Sequence, residues 1–72
     1  MKIEKPSVTF VVTYINDEKE FEEMSVFGYT DDFSTNDALK EALYSFQVKT
    51  EEELFEKHKI KIVKVAKNKH LD

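Results

Sequence analysis

An α+β fold in the order β-β-α-(α)-β follows from three features of this sequence. A strongly alternating β-branched and aromatic run lies near the amino end, two helix-start signals of the form Ser/Thr-x-x-Asp/Glu occupy the middle, and a second β-branched run closes the chain. The first strand spans Ser7 to Ile15. Val8, Phe10, Val12 and Tyr14 alternate there with Thr9, Val11, Thr13 and Ile15. The polar cluster Asn16-Asp17-Glu18-Lys19 holds no glycine, which predicts a hairpin loop built on a type I turn.

The second strand is expected from Glu20 to about Tyr29. With Ile15 paired to Glu20 and an unbroken ladder, Glu23 would fall beside Val12 on the apolar side. One extra residue at Glu22-Glu23 instead sets Met24 beside Val12, Val26 beside Phe10 and Phe21 beside Tyr14, so a β-bulge is expected there. Phe27 then points to the other face.

Ser34 reads as a helix cap, with Asp37 in the capping-box position and Phe33 and Ala38 as a hydrophobic staple. Ala38, Leu39, Ala42, Leu43 and Phe46 form the inward stripe, and Lys40, Tyr44 and Gln47 face away. Thr50-Glu51-Glu52-Glu53 is a second capping box, opening a short helix to about Lys57 that turns Leu54 and Phe55 inward. In the closing strand, Lys59 to Ala66, Ile60 and Ile62 share one face and Val63 and Val65 the other. That strand is either bulged near Val63 or apolar on both sides. A right-handed crossover gives a three-stranded antiparallel sheet in the order 2-1-3, with the helices packed on one face.

The chain has 72 residues, enough for one small domain over 1–72 with frayed ends at 1–6 and 68–72. It contains no Cys, so no disulfide or thiolate zinc site is available, and side-chain packing must supply a stability of about 4 to 10 kcal/mol. No secretory or membrane-spanning pattern is present, which predicts a cytoplasmic protein.

Catalytic, metal and cofactor chemistry find little support. His58 and His70 lie on different elements without a metal-ligand spacing. Ser7, Ser25, Ser34 and Ser45 lack a nucleophile-elbow context, and the lone Gly28 makes no phosphate loop. Asp31, Asp32 and Asp37 miss the spacing of a calcium loop and are better explained by helix capping. The expectation is a protein with no catalytic, cofactor or metal residues and no small-molecule substrate.

Charge is distributed unevenly. From Asn16 to Glu56 there are 13 acidic residues against Lys19, Lys40 and Lys49, whereas Lys57 to Asp72 holds six lysines and one acid. Lys57, Lys59, Lys61, Lys64, Lys67 and Lys69 are therefore candidate phosphate contacts for a weak nucleic-acid binder. The absence of Arg and the net charge of −4 count against it. Asp17, Glu18, Glu20, Glu22 and Glu23, continued by Asp31, Asp32 and Asp37, pose a minor alternative, an acidic mimic of nucleic acid. Edge protection by charged side chains explains the hairpin acids more simply.

The sheet face away from the helices is the leading candidate site. Thr9, Val11, Thr13, Ile15 and Phe27, with Val63 or Val65, make it apolar enough to mark an interface, with a second copy of the chain or with another protein.

The plan Thr-Phe-Val-Val-Thr-Tyr, a charged hairpin, Asp-Ala-Leu-Lys-Glu-Ala-Leu and a closing Ile-Lys-Ile-Val-Lys-Val resembles the small hairpin-helix-strand proteins encoded by phages and prophages of Gram-positive bacteria. The resemblance covers most of the chain and rests on pattern. It implies a small accessory protein and carries over no site residues.

Overall fold

The computed structural model describes residues 7–68. Strands β1 (Val8–Ile15) and β2 (Phe21–Gly28) form a hairpin, helices α1 (Thr35–Ser45) and α2 (Glu51–His58) follow, and β3 (Lys61–Asn68) closes the chain. The sheet has the order β2-β1-β3, and both outer strands run antiparallel to β1. The α+β class and this topology are those the sequence predicts. Of the ends expected to fray, Asn68 pairs with Thr9 as the last residue of β3, and residues 1–6 and 69–72 lie outside the described residues.

The hairpin register corrects the expectation of a bulge in β2. Ile15 pairs with Phe21, so the ladder runs without interruption through Val12↔Met24 and Phe10↔Val26 to Val8↔Gly28. The extra residue sits in the turn, where Lys19 takes a left-handed φ of 64°. Asn16 organises this turn. Its Oδ1 accepts hydrogen bonds from the amides of Glu18 and Glu20, both at 2.9 Å, and its Nδ2 donates to Glu22 at 2.6 Å. Phe21 is consequently beside Ile15 on the face away from the helices, and Glu22 takes the place beside Tyr14.

The bulge of the sheet lies in β3 instead, at Val63. Thr13 pairs with Lys64 and Tyr14 with Ile62, leaving Val63 as the additional residue. Because side chains alternate with a period of two, this one insertion turns both Ile62 and Val65 toward the helices.

Ser34 caps α1, accepting from the Asp37 amide while the Asp37 carboxylate accepts from the Ser34 amide at 2.9 Å. Ala38 and Ala42 have no accessible surface, so α1 approaches the sheet closely through two small side chains one turn apart. The helix ends in a Schellman arrangement. The Val48 amide donates to the Leu43 carbonyl at 3.1 Å, the Gln47 amide to that of Tyr44 at 2.9 Å, and Gln47 supplies the left-handed residue usually given to glycine.

At α2, Thr50 accepts from the Glu53 amide as predicted, but the Glu53 carboxylate reaches one residue further back to the Lys49 amide, at 2.8 Å. Leu54 is completely buried, whereas Phe55 is 54% exposed and not inward as expected. Leu54 fills the side of α2 that packs on the core, and Phe55, about 100° further round the helix, lies at the surface beneath Lys59. The core forms two clusters. One joins Val8, Phe10, Val12 and Val26 to Ala38 and Ala42; the other joins Leu43, Val48 and Leu54, with Ile62 packed against both.

The two capping carboxylates predict an acid-sensitive fold. Asp37 is held below its ordinary pKa chiefly by the Ser34 amide and hydroxyl, and Glu53 by the Lys49 amide and then Lys57. The folded state therefore binds fewer protons than the unfolded chain in the interval between lowered and ordinary pKa values. The stability these groups supply is complete above the ordinary carboxylate range and is lost as pH falls through the lowered values. In urea titrations across that range, the acid limb of the stability curve is expected to become shallower in an Asp37→Asn, Glu53→Gln variant. An unchanged slope would count against this linkage.

Candidate functional site

The cross-strand pairs define what each sheet face carries. The helix side holds Phe10, Val12 and Tyr14 of β1 with Val26, Met24 and Glu22 of β2, and with Lys67, Val65 and Ile62 of β3. Tyr14 packs edge-on against Phe46, with ring centroids 5.4 Å apart, and its hydroxyl pKa is raised by burial and then by the Glu22 carboxylate. His58 joins the two helices at their carboxyl ends, its Nε2 lying 3.1 Å from the Phe46 carbonyl oxygen. A carbonyl only accepts, so that nitrogen carries the proton.

The outer face consists of four rows centred on β1. Thr9 lies between Phe27 and Asn68, Val11 between Ser25 and Ala66, Thr13 between Glu23 and Lys64, and Ile15 between Phe21 and Lys61. Phe21 and Phe27 are 69% and 51% exposed, whereas Val11, Thr13, Ile15 and Ala66 are half-buried and Thr9 is buried. Among the described residues no helix packs on this side. Exposed aromatic rings flanking an aliphatic centre are characteristic of surfaces that bind other proteins.

Of the residues assigned to this face from sequence, Thr9, Val11, Thr13, Ile15 and Phe27 lie together on it. Val63 is the half-exposed bulge residue, and Val65 is on the opposite face, packed on the core beside Val12. The bulge separates the two valines that simple alternation places together. Phe21 and Ala66 also belong to the face, beyond the residues the sequence pattern assigns to it. The length of the Asn16 turn, one residue more than a direct Ile15 to Glu20 pairing allows, is the signal that would have placed Phe21.

The lysines of the carboxyl-terminal part are spread over several surfaces, with Lys59 and Lys61 sharing one groove. Lys57 lies on α2, 3.1 Å from Glu53, and Lys59 stands 5.4 Å above the Phe55 ring. Lys61 and Lys64 fall on the outer face and Lys67 on the helix side, while Lys69 is outside the described residues. A phosphate backbone would meet these charges on several surfaces, interrupted by Glu23 and Glu53. The acids are divided too. Asp37 is engaged at the cap, Asp32 accepts from the Thr30 hydroxyl at 2.6 Å, and Glu22 and Glu23 face opposite sides of the sheet.

At the hairpin end an open groove of about 410 Å³ runs between Ile15, Phe55, Lys19, Lys59 and Lys61. Asn16 and Asp17 also line it, so an apolar floor is rimmed by three lysines and one carboxylate, and it adjoins the outer face through Ile15 and Lys61. Among the described residues no helix is long and apolar enough to cross a membrane. Comparison with protein-family models, with curated proteins and with solved structures finds no match to this chain.

Proposed function

We propose that this chain is a non-enzymatic protein-interaction module, a small accessory protein that works by docking the outer face of its sheet on a protein surface. The observation that supports this reading is the pair of exposed rings, Phe21 and Phe27, set around half-buried Val11, Ile15 and Ala66 on a face that no helix covers among the described residues. A small fold gains nothing in its own stability from exposing such rings, and burying them against another protein removes apolar area from water.

Phe27→Asp is expected to weaken association through this face about tenfold or more, because it replaces an aromatic contact of the interface by a charge that must be desolvated. Because Phe27 is already half exposed, its own folding stability should change by only about 0.5 kcal/mol. Tyr44→Asp provides the control, since Tyr44 is 62% exposed on α1 on the other side of the molecule. Sedimentation of the purified protein and co-purification from its native cell would read both variants. If Phe27→Asp keeps every association of the unaltered protein, the reading fails.

A further inference from the structure

The outer face carries a charge pattern that selects one occupant. Glu23 on β2 and Lys64 on β3 both pair with Thr13, so they stand in one row, on opposite sides of the central strand. Consider two such faces packed about 10 Å apart as an aligned sandwich. A two-fold axis parallel to β1 lays β2 of one protomer over the partner's β3. Glu23 then meets the partner's Lys64, and Lys64 meets the partner's Glu23. In the next row Phe21 lies over the partner's Lys61, a ring facing an ammonium, while Val11 and Ile15 meet their own copies across the axis. A two-fold axis running across the strands through the same row would set Glu23 on Glu23 and Lys64 on Lys64. Only the first arrangement satisfies both charges and closes without leaving a second sticky face.

We infer that the occupant of the outer face is a second copy of this chain, packed face to face about an axis parallel to β1 with reciprocal Glu23–Lys64 pairs; this rests on the docking reading above. The area sets its strength. A face of three eight-residue strands measures roughly 26 by 14 Å, which places the buried area at or below the lower limit for stable complexes. The dimer is therefore weak and concentration-dependent, and it weakens with salt.

The test uses charge reversal with recombination of the variants. Glu23→Lys alone and Lys64→Glu alone each place like charges opposite one another twice, and each is expected to raise the dimer dissociation constant at least about tenfold in sedimentation equilibrium. Mixing the two variants sets opposite charges at both contacts again, and a heterodimer of near-native affinity should form. All the altered side chains are exposed, and circular dichroism checks that each variant is folded. If the protein dimerises and neither reversal affects it while Phe27→Asp abolishes it, the two-fold arrangement is overturned and the docking face stands. A protein that is monomeric at every concentration overturns the second copy as occupant, and the docking reading then depends on the Phe27→Asp co-purification result.

Discussion

Leu54→Ala is expected to lower stability by about 2 to 5 kcal/mol, a large share of what a chain of this length possesses. The size of the effect follows from how α2 is held. Eight residues are too few for a helix to persist in water alone, so α2 depends on its contact with the rest of the molecule. Leu54 is its one buried residue, packed with Leu43 and Val48 under the cover of Leu39, Phe46, Ile60 and Ile62. Truncation leaves a cavity bordered by three elements, and α1, fixed by its capping box and its close approach to the sheet, has little freedom to fill it. The thermal midpoint should fall by about 10 °C or more. Phe55→Ala, one residue along and half exposed, should by contrast cost about 0.5 kcal/mol. A Leu54 variant as stable as the Phe55 variant would show that α2 contributes little to the fold.

Gly28→Ala is expected to cost about 1 to 3 kcal/mol through overpacking. The backbone of Gly28 is not left-handed, and its requirement is for space. A Cβ at this position would lie 2.6 Å from Cβ of Phe33 and nearer still to its ring. Phe33 cannot simply withdraw. It precedes the cap of α1, and its ring packs against Phe10 with centroids 5.9 Å apart. The chain leaves β2, reverses through Tyr29–Asp32 and returns so closely that Phe33 occupies the place of a side chain at position 28. The cost of Gly28→Ala should accordingly shrink when it is made in a Phe33→Ala background, and a double-mutant cycle from urea unfolding measures that coupling. Additive costs would mean that the glycine is required for another reason.

Much of the fold was legible in the sequence because its cues are local. The capping box at Ser34 and Asp37, the stripe from Ala38 to Phe46 and the alternation from Val8 to Ile15 each lie within a few residues, and each matches the structure. Register was less legible. It depends on a turn whose left-handed residue is Lys19, in a sequence that offers no glycine to announce it. A bulge in β2 would keep Glu23 off the core, and the turn achieves the same by a different placement of the extra residue. The same displacement moved Phe21 to the outer face. Phe55 was misplaced for another reason. Adjacent helix residues lie about 100° apart and both turn inward only where the helix is covered broadly, as at Ala42 and Leu43; α2 is covered on the Leu54 side alone, and sequence pattern does not rank Leu54 above Phe55. The candidate face was thus readable in its central strand and blurred at its edges, where pairing partners decide which residues belong to it.

Strand β3 serves two clusters, and that arrangement sets the size of the unit that unfolds. Ile62 packs against both the sheet cluster and the Leu43, Val48 and Leu54 cluster, and it points that way only because Val63 is inserted after it. In an unbulged strand the helix side would receive Val63, and Ile62 would turn to the outer face. The smaller valine would then stand where both clusters pack against an isoleucine, and their connection on the sheet side would be weaker, lowering the cost of opening α2 locally. With the insertion, opening α2 also disturbs the strand that pairs with β1. A single additional residue in an edge strand thereby turns inward the side chain on which both small cores rest.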